Sequence, residues 1–335
     1  MSVDISSDYL GLRLRSPLVA SAGPLTRDIE KLRLLSEAGV GAVVLPSLFE
    51  EQFEDKAIQW ERQTQYESDS FAENPSRQPN IDSYNSGPEE YLGLIETAKK
   101  VVDVPVIANL NGQRLSGWAR YAQSLERAGA DAIELNVYRV VTDPGEAPGL
   151  VEDEYVDLVL AVSDAVSIPV SVKLGSQFTA LPHFAQRLQE AGASGLVLFN
   201  RFLYPSIDLE EMRVTPHLTL SQPSEALQVI RWIAILRDCV DLSLAATSGV
   251  HTSSDVLKML LVGADVVMMT SALLKFGPKY MQTVTDELTA WLKSKGYESV
   301  SQLRGSMSLK NAPDPAGFER ANYMQALMSY SRDPN

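Results

Sequence analysis

The chain has a single cysteine, Cys239, and only three histidines in 335 residues. One thiol excludes an internal disulfide and a thiolate-rich metal or iron–sulfur site, and three histidines leave little for zinc. No metal is expected. Basic residues are outnumbered, 29 Lys and Arg against 43 Asp and Glu, for a net charge of −14. That balance argues against a nucleic-acid surface, which needs a basic face. No apolar run approaches the roughly 18 residues that a membrane-crossing helix requires. The N-terminal stretch MSVDISSDYLGLRLRSP lacks the basic start and apolar block of a secretory signal, so a cytoplasmic protein is expected, with a small-molecule substrate. Hydrophobic residues at 45% and charged residues at 21% suit a soluble globular chain with a full core.

Against these absences stands a repeat. Four times a helix-like stretch ends in a glycine between small residues and runs straight into an apolar segment: AGVGAVVL from Ala38, AGADAIELN from Ala128, AGASGLVLFN from Ala191 and VGADVVMMTS from Val262. A glycine just past a helix end takes the left-handed conformation without steric cost. The short, unalternating apolar run after it is what a parallel strand buried on both faces looks like. Eight such strands can be counted: Leu18–Ser21, Ala42–Leu45, Val106–Asn109, Ala132–Asn136, Val170–Lys173, Gly195–Asn200, Ser243–Ala246 and Val266–Met269. Helical patterns lie between them. Eight βα units over roughly 280 residues predict a single-domain (β/α)8 TIM barrel spanning 1–335. A doubly wound sheet would carry a glycine-rich turn after its first strand, and ASAGPLT is a poor match. Two additions are expected: an insertion over 48–88 after the second strand and a C-terminal extension over 306–335. The insertion is acidic and helix-prone in its first half, which suits either a lid or docking surface at the barrel mouth or a solvated helix on its rim.

In such barrels a phosphate commonly sits between the loops after the seventh and eighth strands. Here those loops read ATSGVHTSSD and MMTSALLKFGP. Gly249 permits close backbone approach, and Ser248, Thr270 and Ser271 offer hydroxyl donors. The same residues could instead be ordinary helix caps.

The segment SGVHTSSDVLKMLLVGADVVMMTSAL resembles the FMN-phosphate segment of flavin-dependent barrels. SPLVASAGP, VPVIANLNG, AGADAIELN and KGYESVSQLRG resemble, in order, segments of the dihydroorotate dehydrogenase family, from Leu10 to about Gly305. The resemblance implies FMN over the strand C-termini, approached by Ala20, Ser21, Gly23 and Asn109, with its phosphate at Ser248, Gly249, Thr270 and Ser271. It implies that Lys173 contacts the pyrimidine edge of the flavin, where a fixed ammonium stabilises the negative charge of the reduced ring. A lysine in an otherwise apolar strand needs such a partner, unless its stem merely snorkels to the rim. Asn85, Asn136 and Asn200 would bind substrate and flavin.

The family's catalytic loop reads Asn, a small or apolar residue, Ser, a Cys or Ser base, then Pro-Asn. This chain has Asn136-Val137-Tyr138-Arg139-Val140-Val141. Arg139 cannot act as a base, and the family lysine after the second strand is Pro46. Oxidation of dihydroorotate needs a positioned base, so that reaction is doubtful here. Arg139 could clamp a substrate carboxylate or phosphate and Tyr138 could deliver a proton; alternatively Arg139 forms a surface ion pair. The leading expectation is therefore an FMN oxidoreductase acting on the CH–CH group of a small pyrimidine-like or carboxylate substrate, passing electrons to a partner protein, with a homodimer as its assembly. Two alternatives stand beside it: an FMN-binding subunit with little catalysis, and a non-redox lyase or isomerase using the phosphate cup, in which Lys173 would be a Schiff-base lysine.

Overall fold

The four strand-leading glycines, Gly39, Gly129, Gly192 and Gly263, have φ of 89°, 97°, 96° and 117°, so each closes a helix in the left-handed conformation that the repeat predicts. A computed structural model describes residues 3–49, 87–112, 117–137, 139–201, 203–319 and 321–332. It opens with an antiparallel hairpin, β1 (Ser7–Tyr9) and β2 (Leu12–Leu14). Six parallel strands follow: β3 (Leu18–Ala20), β4 (Ala42–Phe49), β5 (Val106–Gly112), β6 (Ala132–Val137), β7 (Val170–Leu174) and β8 (Gly195–Leu198). A second hairpin, β9 (Ser206–Asp208) and β10 (Arg213–Thr215), precedes β11 (Ser243–Ala246) and β12 (Val266–Met269). β3 to β8 with β11 and β12 form a closed barrel, in which β12 pairs with β3. Helices separate the strands, as in a (β/α)8 barrel.

Period-two alternation sorts the strand side chains. Val19, Ala42, Val44, Ile107, Ala132, Val197, Ala245, Val266 and Met268 form an inner cluster with Tyr9, Leu10 and Leu14 of the first hairpin. Their neighbours Leu18, Ala20, Val43, Ile133, Leu135 and Leu196 join the layer between strands and helices. Each fully buried Val or Leu contributes about 1.5–3 kcal/mol, and this double use of every strand makes its sequence continuously apolar. The hairpin is tied to the N-terminal ends of β11 and β12: Leu10 N donates to Ser243 Oγ at 2.9 Å and Ser7 Oγ to the Asp265 carbonyl at 2.6 Å. It plugs that end of the barrel. Access is left to the C-terminal ends of the strands.

β4 and β5 run several residues past the predicted ends. Between Val44 and Ser47 the β4–β5 register slips, so that three steps on β4 match two on β5. Pro46 lies in this bulge, where its missing N–H breaks no ladder bond. At the same level the Asn109 amide donates to the Tyr91 hydroxyl at 2.9 Å. Residues 50–86, almost all of the 48–88 insertion, lie outside the described residues. The 306–335 segment begins bound to the barrel: Met307 N donates to the Leu261 carbonyl at 2.8 Å and Leu309 N to that of Ala234 at 2.9 Å. A helix, Ala321–Arg332, follows. No helix among the described residues is long and apolar enough to cross a membrane.

Candidate active site

Towards the C-terminal ends the inward positions change from apolar to polar. Ser21, Asn109, Glu134, Asn136, Lys173 and Thr247 are all buried there. Strand register brings them together, since Asn109 lies opposite Glu134 and Asn136 opposite Lys173. Asn109 Nδ2 donates to Glu134 Oε1 at 2.6 Å, and Lys173 Nζ forms an ion pair with the same oxygen at 3.3 Å. Asn200 Nδ2 donates to Asn136 Oδ1 at 2.5 Å. Among the described residues, Glu134 Oε2 and Asn109 Oδ1 are enclosed without a hydrogen-bond partner. Burial raises the Tyr9 hydroxyl pKa far above its ordinary value, and the charge of Glu134 adds to the shift.

Above this tier is a cavity of about 270 Å³. Ser21, Gly23, Lys173 and Asn200 line one part, and Thr247, Ser248, Gly249, Thr270 and Ser271 another, with Leu218–Ser221 across them. The covering segment is strapped down. Arg201 holds the Thr219 carbonyl, Thr219 Oγ1 and Glu225, while Ser221 N donates to Ser271 Oγ at 3.0 Å and Ser221 Oγ bonds His251 Nε2 at 3.1 Å. His251 is thus tied to the covering segment.

The cup residues sit in demanding geometry. Ser248 and Gly249 have φ of 75° and 72°, and a Cβ on Gly249 would lie 2.3 Å from Ala226 N. Glycine is needed there for the packing of the loop against the preceding helix, Ala226–Leu236. A Cβ on Gly23 would meet Thr270 Cγ2 at 2.9 Å, so this glycine keeps the two loops close. The capping alternative is met elsewhere. Thr252 caps the helix Ser253–Val262 in a reciprocal pair with Asp255, whereas Thr270 makes no side-chain capping bond. Thr270 lines the cavity, whereas the Ser248 hydroxyl donates to the Phe199 carbonyl at 3.1 Å. Thr252→Ala is expected to cost about 1 kcal/mol in urea unfolding without changing ligand affinity.

Not every expected residue reaches the cavity. Ala20 points into the strand–helix layer, because alternation turns Val19 and Ser21 inward, so its side chain does not face the cavity. Asn109 and Asn136 lie in the polar tier, Asn136 reaching the wall through Asn200. Arg139 is turned away. Its guanidinium is held by Glu146 and Glu154 beside a separate hollow of about 360 Å³ lined also by Tyr155 and Phe178, the ion-pair alternative, which here links the loop to the helix Pro148–Ser163. Asn85 and Tyr138 lie outside the described residues. The sequence reading missed Glu134 and Ser221. An acidic residue inside AIELN was the available signal for Glu134; nothing local marks Ser221, whose role depends on a fold-back of the loop after β8.

Among known proteins, the family model described as dihydroorotate dehydrogenase matches residues 76–292. The catalytic subunit of dihydroorotate dehydrogenase B (NAD(+)) from Halalkalibacterium halodurans is 32% identical over 212 residues, covering 61% of this chain and 68% of that protein. The protein of the same name from Methanothermobacter thermautotrophicus is 27% identical over 318 residues, 90% of this chain and 97% of its own. That from Bacillus cytotoxicus is 25% identical over 303 residues, 88% and 94% respectively.

Proposed function

The chain belongs to the dihydroorotate dehydrogenase family, and on that premise we propose that it is an FMN-dependent oxidoreductase whose substrate is a small pyrimidine-like or carboxylate-bearing molecule. One observation carries the reading: a single cavity joins the glycine–hydroxyl cup after β11 and β12 to Lys173 and its buried polar tier. The residues fit the cofactor. Ser248, Gly249, Thr270 and Ser271 line the cavity where its phosphate would sit, and Ser21 and Gly23 suit close approach of the ring. Bound FMN supplies a two-electron, hydride-accepting centre.

The chain's own groups bind and orient. Lys173 presents a cation at the cavity floor, and the Asn136–Asn200 pair presents amide groups that match an amide-rich ring. Leu218–Ser221, held by Arg201 and Ser271, excludes water from one side. The engagement of Lys173 with Glu134 suits a fixed cation and not the free amine of a Schiff-base enzyme.

Arg139 stands where the family carries its base and is committed to two glutamates, so we expect dihydroorotate to be a poor substrate. The protein should bind FMN on purification or reconstitution. Anaerobic stopped-flow mixing with dihydroorotate, dihydropyrimidines and reduced nicotinamides should bleach it rapidly with one reductant other than dihydroorotate. Rapid bleaching by dihydroorotate would overturn the reading of Arg139, and a protein that takes up no FMN would sink the flavin assignment. The commitment of Arg139 also favours, as a second reading, a flavin subunit with little catalysis, for which no reductant in the panel would bleach the ring. Arg139→Ala is expected to cost up to about 1 kcal/mol of stability and to leave FMN affinity unchanged, as measured by fluorescence titration.

The relatives are named as catalytic subunits. We read this chain likewise as a cytoplasmic, single-domain subunit that passes electrons to a partner protein, since one cysteine provides no iron–sulfur centre of its own. The exposed Ile207, Leu209, Met212 and Val214 around the second hairpin support homodimer formation.

A further inference from the structure

Glu134 is completely buried in a barrel, yet only one of its carboxylate oxygens is used. Oε1 accepts from Asn109 Nδ2 at 2.6 Å and pairs with Lys173 Nζ at 3.3 Å, while Oε2 has no partner among the described residues. A half-satisfied carboxylate at zero exposure is costly to keep. A glutamine in the same place could accept both bonds through its carbonyl oxygen and carry no charge. What glutamate adds is the charge.

We propose that Glu134 is a positioning residue that holds the Lys173 ammonium at the cavity floor and, by its negative charge, keeps the reduction potential of the bound flavin low. The inference rests on the FMN reading of the cavity. Lys173 is the residue of the pair that lines the cavity, with Glu134 behind it. An uncompensated ammonium there would stabilise the negative charge that reduction adds to the ring. A carboxylate 3.3 Å from that ammonium, in an interior that screens weakly, cancels much of its field. The ring then faces a dipole instead of a bare cation. Its electrons are correspondingly easier to pass to a separate acceptor.

The test is the midpoint potential of the FMN-loaded protein, measured by equilibration with a reference dye, for wild type, Glu134→Gln, Lys173→Met and the double variant. Glu134→Gln should shift the dye equilibrium at least tenfold towards reduced flavin, a rise of about 30 mV for a two-electron couple. Lys173→Met should shift it in the opposite direction, and adding Glu134→Gln to Lys173→Met should raise the potential again. A purely structural Glu134 moves none of these values in this order. A Glu134→Gln potential equal to or below wild type, or a double variant that coincides with Lys173→Met, overturns the proposal. Should Glu134→Gln not fold, the comparison of the double variant with Lys173→Met decides alone. Bound flavin with unchanged potential overturns this inference only, whereas a wild-type protein that takes up no FMN overturns the cofactor reading and this inference with it.

Discussion

Lys173→Met is expected to destabilise the apo-protein by about 3–5 kcal/mol, the cost of stranding a buried charge when its partner is removed. The carboxylate left behind is Glu134, fully enclosed and with Asn109 Nδ2 as its remaining hydrogen-bond donor. A loss of that size is a large fraction of the roughly 5–15 kcal/mol that holds a domain folded. The penalty belongs to the unpaired charge, not to the loss of the lysine stem. Lys173→Met combined with Glu134→Gln should therefore recover most of the stability in urea unfolding, because both charges leave together. Flavin reduction should not recover with it. Removing a fixed charge-stabilising group costs on the order of 10²-fold in rate, and the double variant lacks that group as fully as the single one. A double variant no more stable than Lys173→Met would show that the Glu134 charge is not what the lysine compensates.

Gly249→Ala should be the most damaging small substitution in the cup. The backbone there is left-handed, φ 72°, which costs an L-residue about 1–2 kcal/mol. The added methyl also arrives 2.3 Å from Ala226 N, a backbone atom that can yield only if its helix moves, for about another 1–3 kcal/mol. Gly11 provides the control. It has nearly the same φ, 74°, but nothing within 4 Å of a built Cβ, so Gly11→Ala should show the conformational cost alone. FMN retention should fall sharply in Gly249→Ala and stay unchanged in Gly11→Ala, as read by gel filtration and absorbance. Equal destabilisation by the two variants would mean that the contact with Ala226 is relieved freely.

Much of the architecture was legible because its physical causes are local. A glycine after a helix and an unbroken apolar strand are written in adjacent residues, and they located all eight barrel strands. Their ends were less legible. β4 continues to Phe49 because a bulge accommodates Pro46, which in isolation reads as a strand terminator. The cup after β11 and β12 was legible for the same local reasons, although its glycine is required as much by Ala226 as by a ligand.

Arg139 and Glu134 mark where local reading stops. Arg139 stood at the position of a catalytic base, and its direction was decided by Glu146 and Glu154, seven and fifteen residues further along. Glu134 appeared as one acidic residue in an apolar strand. Only strand pairing set it against Asn109 from one neighbouring strand and Lys173 from the other. The sequence by itself determined the barrel, its family and the place of the glycine–hydroxyl loops after β11 and β12, since helix closure, strand burial and close backbone approach each depend on a few consecutive side chains. The tertiary structure alone decided which charges meet, because register and barrel closure pair residues tens of positions apart, and an ion pair depends on distances that no spacing along the chain contains.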